Sequence, residues 1–522
     1  MTTGPPTALG RHRTDGYRAA VVPAVLPAAA AVITVAVVGA AAIELPIGLG
    51  VLGGAVVLAV VIDAPVRAAY WYLALAPLVA GFGRDSVVPL VRPGELLLVV
   101  LLIGVGVRFA RDALTGHPPA ALVRYRITAL DRSIVAMAIF SSVVPLLWRA
   151  ARGYRPLMDD LLYATFIWKY LLVFVLFRLV VTNRRQVRVC LIIMLSIGVV
   201  IGAVAILQSL NVAGVPRFLA AVYDEPLTAL TNNRGSSTLG TSHGTADVMA
   251  FDLGLTAAMW HHRMGPRLLT ASGCVFFGLA CFASGQISAA FALAVAITTF
   301  GFLTRRLLQT LTVAIPAAAV ATVLLWPVVN ARLVGTGTDR IPDSWNARYF
   351  NLTNYFWPEL FRKGNWILGV RPAGRVPSYE PWRDWVYIES GHTWLLWTGG
   401  VPLLMAFAWF SWHGLAGSVT LAGSRPRSGA VGEVGPVVGL ATAIALSVVF
   451  VLMLFDVHLT LRGPADALFP LLAMLTVPTL WPSGHRWERV LGIRRLRTLA
   501  TVGHPSPVGS RSPERAGGRS AP

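Results

Sequence analysis

Hydrophobic and polar positions along this chain come in blocks rather than in short alternation. Long apolar runs are separated by brief clusters of arginine, proline and glycine, and about 20 apolar residues in a row is the length of a helix that crosses a bilayer. Runs near that length fall at 19–42, 46–63, 67–83, 94–110, 132–148, 158–180, 187–208, 243–261, 267–282, 285–303, 308–328, 392–412, 436–454 and 464–482. The pattern predicts an all-α polytopic membrane domain over 19–482, with about 12–14 transmembrane helices. Residues 1–18 precede it, and 483–522 form a basic tail rich in Arg, Ser, Pro and Gly that is expected to be disordered. No short n-region, h-region and A-x-A cleavage pattern stands out at the start, so the first apolar run is expected to stay as a span. Two connections are long, 209–242 and 329–391, the second between the eleventh and twelfth spans.

Charge gives the spans a direction. Arg11, Arg13 and Arg18 place the N-terminus in the cytoplasm. The connections carrying Arg108 to Arg132, Arg184 to Arg188, Arg263 and Arg267, Arg305 and Arg306, and Arg425 and Arg427 then also fall inside, as does the tail. The short connection with Arg149, Arg152 and Arg155 is the exception. Both long connections fall outside, and 329–391 is a large extracytoplasmic loop that nevertheless holds Arg332, Arg340, Arg348, Arg362, Arg371, Arg375 and Arg383. For part of that set an anionic ligand is expected, because a guanidinium fork grips phosphate oxygens two at a time.

Composition narrows the classes. With 55% hydrophobic and 13% charged residues, 522 residues cannot cover a soluble surface. The net charge of +20 sits in loops and at the ends, with no basic stripe of interleaved aromatics, so a nucleic-acid partner is not expected. Cys190, Cys274 and Cys281 lie in apolar runs without paired spacing, which argues against a disulfide framework or metal site. No P-loop, GxSxG or HExxH occurs in a fitting context, so the driving force for any reaction arrives with the substrate, and no cofactor is expected. Arginine supplies nearly all positive charge, with heavy Ala, Val and Gly, a bias of GC-rich bacterial genomes.

Four polar stretches carry the candidate chemistry. "IESGHTWLLWTGG" (388–400) puts Glu389, His392, Leu396 and Gly399 on one helical face, polar at the mouth and small below it. His392 there is either a cap on the span or a proton donor and acceptor beside a pocket. "TNNRGSSTLGTSHGTAD" (231–247) offers Arg234 and the hydroxyls of Ser236, Ser237, Thr238, Thr241 and Ser242 to a phosphate at a helix start. His243 and Asp247 share a face there, and Asp252, deeper in the span, has Lys169 as its expected partner. "FASGQISAAFALAV" (282–295) is a tight turn with Ser284, Gly285, Gln286 and Ser288. Residues 338–375 mix Arg340, Arg348 and Arg371 with Trp345, Tyr349 and Phe356, as an interfacial amphipathic helix would.

The order of these stretches resembles the O-antigen polymerase and O-antigen ligase family, over roughly 230–412. That family shows an arginine in a glycine-rich external segment, an "SRG"-type turn, a large external loop with arginines ending "GxG", and a helix start like "HNxxL…xxGxxG". The matching residues are Arg234 and Gly235; Ser284, Gly285 and Gln286; Arg348 with "LGVRPAG" at 368–374; and His392, Leu395 and Gly399 or Gly400. Gln286 stands where the family has an arginine, and Thr393 where it has an asparagine. The resemblance implies a C-type glycosyltransferase-like fold in the bacterial cytoplasmic membrane, with both termini inside. It implies a metal-independent enzyme moving glycan from a polyprenyl-pyrophosphate carrier to a glycan acceptor. Arg234, Arg348 and Arg371, with Arg340 and Gln286, would hold the pyrophosphate; His392 would be the base or would position the acceptor, with Glu389 orienting it or sharing the role. The rival classes are a lipid-linked glycan flippase or other transporter, a peptidoglycan polymerase of the shape, elongation, division and sporulation type, and a non-catalytic partner in polysaccharide assembly. A transporter is expected to show paired halves with broken helices near the midplane, and no such halves stand out.

Overall fold

The computed structural model describes residues 45–481 except 85–89, 117–118, 120–121, 123–124, 213, 224–233, 334–342 and 425–432. The apolar run at 19–42, both terminal segments and Arg340 lie outside the described residues.

The protein is an all-α polytopic membrane protein. Its first helices are α1 (Leu45–Asp63), α2 (Val66–Val79), α3 (Pro93–Leu114), α4 (Ala129–Ser141), α5 (Val143–Ala151), α6 (Met158–Ala164), α7 (Phe166–Val180) and α8 (Arg184–Ser209). After the short α9 (Val215–Tyr223) come α10 (Ser242–His261), α11 (Arg267–Ala283), α12 (Ile287–Leu303), α13 (Leu307–Leu324) and α14 (Trp326–Leu333). The loop region holds α15 (Asp343–Asn351), α16 (Trp357–Phe361) and a two-stranded antiparallel ribbon, β1 (Arg375–Pro377) and β2 (Trp385–Tyr387), with Val376 opposite Val386. The last three are α17 (Gly391–Ala422), α18 (Val434–Leu452) and α19 (Pro464–Leu475). Among the described residues seven helices are long and apolar enough to cross a membrane, and five shorter apolar helices accompany them.

The centre of the bundle is α10, α17, α18 and α19. Helix α18 is buried along most of its length between α17, α10 and α12, whereas α13 is almost wholly exposed. Lipid gives no hydrophobic drive between helices, so close backbone approach does the packing. A Cβ on Gly254 of α10 would lie 2.7 Å from Ile444 Cγ2 of α18, and one on Gly273 of α11 would lie 2.8 Å from Thr256 Cγ2.

Several predicted spans are interrupted, and three of the breaks bear on the site. Runs 132–148 and 158–180 break at Ser142 and Thr165, and the Trp168 indole donates to Ser142 Oγ at 2.9 Å across the first break. Helix α17 breaks at Gly400, whose backbone (φ 65°, ψ −160°) is open to glycine and strained for other residues. The groups freed by the break are met by the loop: Val370 N–H donates to the Trp397 carbonyl at 2.6 Å, and Val401 N–H donates to that of Trp366 at 3.1 Å. A side chain on Gly400 would strike the Ile367 carbonyl, and one on Gly399 that of Phe140. Gly400 thus seats the loop in the broken helix, which satisfies backbone that bare hydrocarbon could not, and Gly399 lets α4 approach beside it.

Residues 80–84 and 90–92 and the connections 152–157, 234–241, 284–286 and 453–463 gather with residues 343–390 at one end of the bundle. Arg462 reaches the Ala80 carbonyl at 2.8 Å, Gly235 N–H that of Ala283 at 3.0 Å, and Arg348 that of Phe455 at 3.2 Å. The arginines of the 149–155 connection belong here. Arg149 lies 3.6 Å from Asp160, which Arg371 of the loop holds at 2.6 Å, while Asp159 takes both forks of Arg375 at 2.5 and 2.6 Å. Arg152 binds Asn365 and, at 3.3 Å, the Val370 carbonyl. The connection that departs from the charge rule is therefore tied to the long loop, as electrostatic partners of one body.

Inside the bundle the expected Lys169–Asp252 pair does not form. Lys169 of α7 faces α19 and meets Asp466 at 2.9 Å, with the Tyr72 hydroxyl on the same carboxylate at 2.6 Å. Asp252 points the other way, toward Gly198 of α8, and its Oδ2 is buried without a partner.

Candidate functional site

The polar segment before α10 is fixed from within. Ser237 N–H donates to Gln208 Oε1 at 2.7 Å, Ser237 Oγ to the Ile201 carbonyl at 2.7 Å, and Thr238 Oγ1 to that of Pro77 at 3.1 Å. Ser236 Oγ accepts from Gln208 at 2.9 Å, and Gln286 donates to Ser242. The expected ring of hydroxyls facing a phosphate is thus mostly engaged in holding this turn. A Cβ on Gly235 would lie 2.7 Å from the Ala205 carbonyl, so the turn sits close against α8 and leaves Arg234 as its projecting group.

Arg234 is half-buried, and its Nε is buried without a partner. Burial, and then the positive charge of Arg348, hold its guanidinium below the usual arginine value. Two cations from segments over a hundred residues apart are thus brought within reach of one another's charge, a costly arrangement unless an anion joins them. Arg348 itself donates to the Phe455 carbonyl at 3.2 Å and stands 3.8 Å from Glu389 Oε2. Glu389 is pushed above the ordinary carboxylate range, first by burial and also by Asp456; Arg348, a hydrogen bond from Asn351 and Arg383 pull the other way. Its carboxylate is therefore suited to take and return a proton.

Beneath these groups lie two histidines. His458 Nδ1 is 2.6 Å from Asp247 Oδ2, both side chains fully buried, while His458 Nε2 and Asp247 Oδ1 have no partner. Burial opposes charging of His458, but the Asp247 carboxylate outweighs it and raises its pKa. The His243 ring meets that of His458 edge-on at 6.5 Å, and its Nε2 is 4.0 Å from Asp456 Oδ2.

Arg234, Arg348 and Glu389 are thus brought together. Gln286 donates to Ser242 at the start of α10, and no contact of it with these three is among those described. Arg371 is buried elsewhere at the same end, engaged by Asp160 through Nε, with Nη2 buried and unpartnered. His392 turns its Nδ1 to the Met453 carbonyl at 3.2 Å and packs against Phe407 and Phe450. Among the described contacts of His392 none is with an arginine or carboxylate. Sequence reasoning passed over Asp456 and His458. Their signal was the same one that marks Glu389 and His392: "FDVHLTLR", an acid, a histidine and an arginine between two apolar runs at the level where a span ends. No family model, curated protein or solved structure matches this chain.

Proposed function

We propose that the protein is a metal-independent glycosyltransferase of the O-antigen polymerase or ligase kind. It would move glycan from a polyprenyl-pyrophosphate carrier to an acceptor hydroxyl at the outer face of a bacterial cytoplasmic membrane, in exopolysaccharide or surface-glycan assembly. The observation that supports it most is Arg234, a half-buried guanidinium with an unpartnered Nε, set beside Arg348 and, through it, beside the proton-accepting Glu389. In this reading the acceptor oxygen attacks the anomeric carbon and its proton passes to Glu389. The bond from that carbon to the diphosphate breaks, and the diphosphate leaves with the electron pair, its charge met by Arg234 and Arg348. His392, with Nδ1 on the Met453 carbonyl, positions the acceptor side. Arg371 and its partner Asp160 hold the loop beside the diphosphate site. Twelve to fourteen spans, with 329–391 external as a lid over a lipid-facing groove and both termini inside, complete the C-type arrangement.

The test is turnover by the purified protein in lipid nanodiscs, with a polyprenyl-pyrophosphate oligosaccharide as donor and glycan sizing as readout. Longer or transferred glycan, lost in the Arg234→Ala variant, is expected. Movement of the lipid across vesicles without glycan transfer would instead identify a flippase and overturn the proposal.

A further inference from the structure

At the same end of the bundle a second set of arginines converges from three segments. Arg84 lies in the 80–92 connection, Arg92 caps α3, and Arg462 lies in the 453–463 connection. The guanidinium carbons of Arg84 and Arg92 stand 5.6 and 5.9 Å from the centre of one ring, Phe166 at the start of α7. Arg462 fills its Nη1 with the Ala80 and Phe82 carbonyls at 2.8 and 3.3 Å, and so is anchored to the connection that carries Arg84. All three are partly buried, and the Nε atoms of Arg84 and Arg92 are buried with no partner.

The neighbouring carboxylates, Glu95 for all three and Asp159 and Asp466 for one each, favour their charge from a distance but make their close contacts with other groups. Glu95 accepts from the Arg92 backbone N–H at 3.2 Å, Asp466 is bound by Lys169 and Tyr72, and Asp159 by Arg375. Among the described residues none of the three arginines has a carboxylate within 4.0 Å. Burial lowers each of them from the usual arginine value, and each is also disfavoured by at least one of the other two. Concentrated, partly desolvated positive charge of this kind calls for an anion. The set is electrically separate from the first site: Arg348 acts on Arg234, and neither of those two is among the groups that act on Arg84, Arg92 or Arg462.

We infer that Arg84, Arg92 and Arg462 form a second anion site, distinct from the Arg234–Arg348 site, that binds a phosphate or diphosphate group. Three forked donors from separate segments suit an anion with several oxygens better than a single carboxylate. The Tyr163 and Tyr170 phenols, close enough to favour charge on Arg92, flank it. The inference does not rest on the transferase reading. The two sites share one connection: Phe455, Asp456 and His458 belong to the first, and Arg462, four residues on, to the second.

The test uses the full chain in phosphatidylcholine nanodiscs with inorganic pyrophosphate as probe, read by calorimetry and by thermal shift. Saturable binding is expected, weakened about tenfold or more in Arg84→Gln/Arg92→Gln. Arg234→Ala removes at most the contribution of its own site. If the glutamine variant does not fold, Arg84→Lys/Arg92→Lys keeps the charge but loses the fork and weakens binding by less. Undiminished affinity in folded variants of both kinds would overturn the inference, as would absence of binding to an Arg234→Ala protein whose second site is intact. Repeating the titration in nanodiscs containing phosphatidic acid separates the sources. Competition assigns the site to a lipid headgroup, and unchanged affinity assigns it to the phosphate of a non-lipid ligand.

Discussion

Two groups of arginine sit at the same end of this molecule, and they are built in opposite ways. In one, Arg149, Arg371 and Arg375 face Asp159 and Asp160 at 2.5–3.6 Å, with Asp160 fully buried. In the other, Arg234 lies close enough to Arg348 for that charge to disfavour its own, and Glu389 stands 3.8 Å from Arg348. The first group is saturated in charge, although Arg371 Nη2 has no hydrogen-bond partner, and that charge is consumed in joining the 149–160 stretch to the loop. The second leaves positive charge over as well as a donor. A guanidinium that has met its carboxylates holds a structure together; one that has not is available for a ligand.

The contrast is broken or kept most sharply by deleting one cation from each group. Arg371→Ala would leave the buried Asp160 with Arg149 at 3.6 Å as its remaining ion-pair partner, and loss of one partner from a buried pair costs about 3–5 kcal/mol. The expected outcome is a large fall in the thermal unfolding temperature, seen by tryptophan fluorescence in detergent. Arg234→Ala removes no bond that the fold uses, so its unfolding temperature should stay close to that of the parent. If the two variants lose stability equally, the division between saturated and unsaturated arginine is wrong.

Activity should reverse that order. With a lipid-pyrophosphate donor, Arg234→Ala is expected to lower turnover by about 10²–10³, the range for removing one preorganised donor to a developing anion. A variant that keeps full turnover would return Arg234 to the role of an ordinary solvated charge.

A smaller effect tests how the saturated group is seated. The loop docks into the break of α17, and Gly400 at φ 65° lies against the Ile367 carbonyl. Gly400→Ala adds both a strained backbone and a clash, together of order 1–3 kcal/mol. Faster proteolysis between 362 and 383 is the expected sign. Protection equal to that of the parent would show that the loop is held without the break.

How far the sequence reached follows the same line. Apolar run length marked most helices, because bilayer thickness and backbone satisfaction leave little choice. The run at 436–454 became α18 (Val434–Leu452), and 267–282 became α11 (Arg267–Ala283). Glu389 and Arg234 were legible as polar residues where spans end. What was not legible is pairing. Arg371 and Arg234 look alike in one dimension, and only the fold places Asp160, 211 positions away, against the first and nothing against the Nε of the second. Lys169 likewise met Asp466 on α19 rather than Asp252, since helix neighbours and not shared depth decide partners. The run at 464–482 yielded only α19 (Pro464–Leu475) before a turn, its Pro478 being a helix stop that hydropathy does not weigh.

The finest distinction is one of pH. Burial, reinforced by Asp456, raises Glu389 above its usual 4.5, so its neutral form persists to higher pH than that of an exposed carboxyl. A base must be deprotonated, hence the acid limb of the turnover profile should lie above the ordinary glutamate range. Arg348 pulls the same pKa down. Arg348→Ala should therefore move the limb further up in pH, besides lowering the rate, whereas Glu389→Gln should abolish the limb with most of the rate. The stability linkage has the opposite sense to that of a salt-bridged acid. The folded state binds this proton more tightly than the unfolded chain, so Glu389 contributes most at low pH and progressively less as pH rises through its raised value. Arg371 has no such coupling to Glu389: its substitution should depress stability at every pH and leave the limb where it was. A limb that shifts with Arg371 but not with Arg348 would mean that the proton-accepting carboxylate belongs to the saturated group after all.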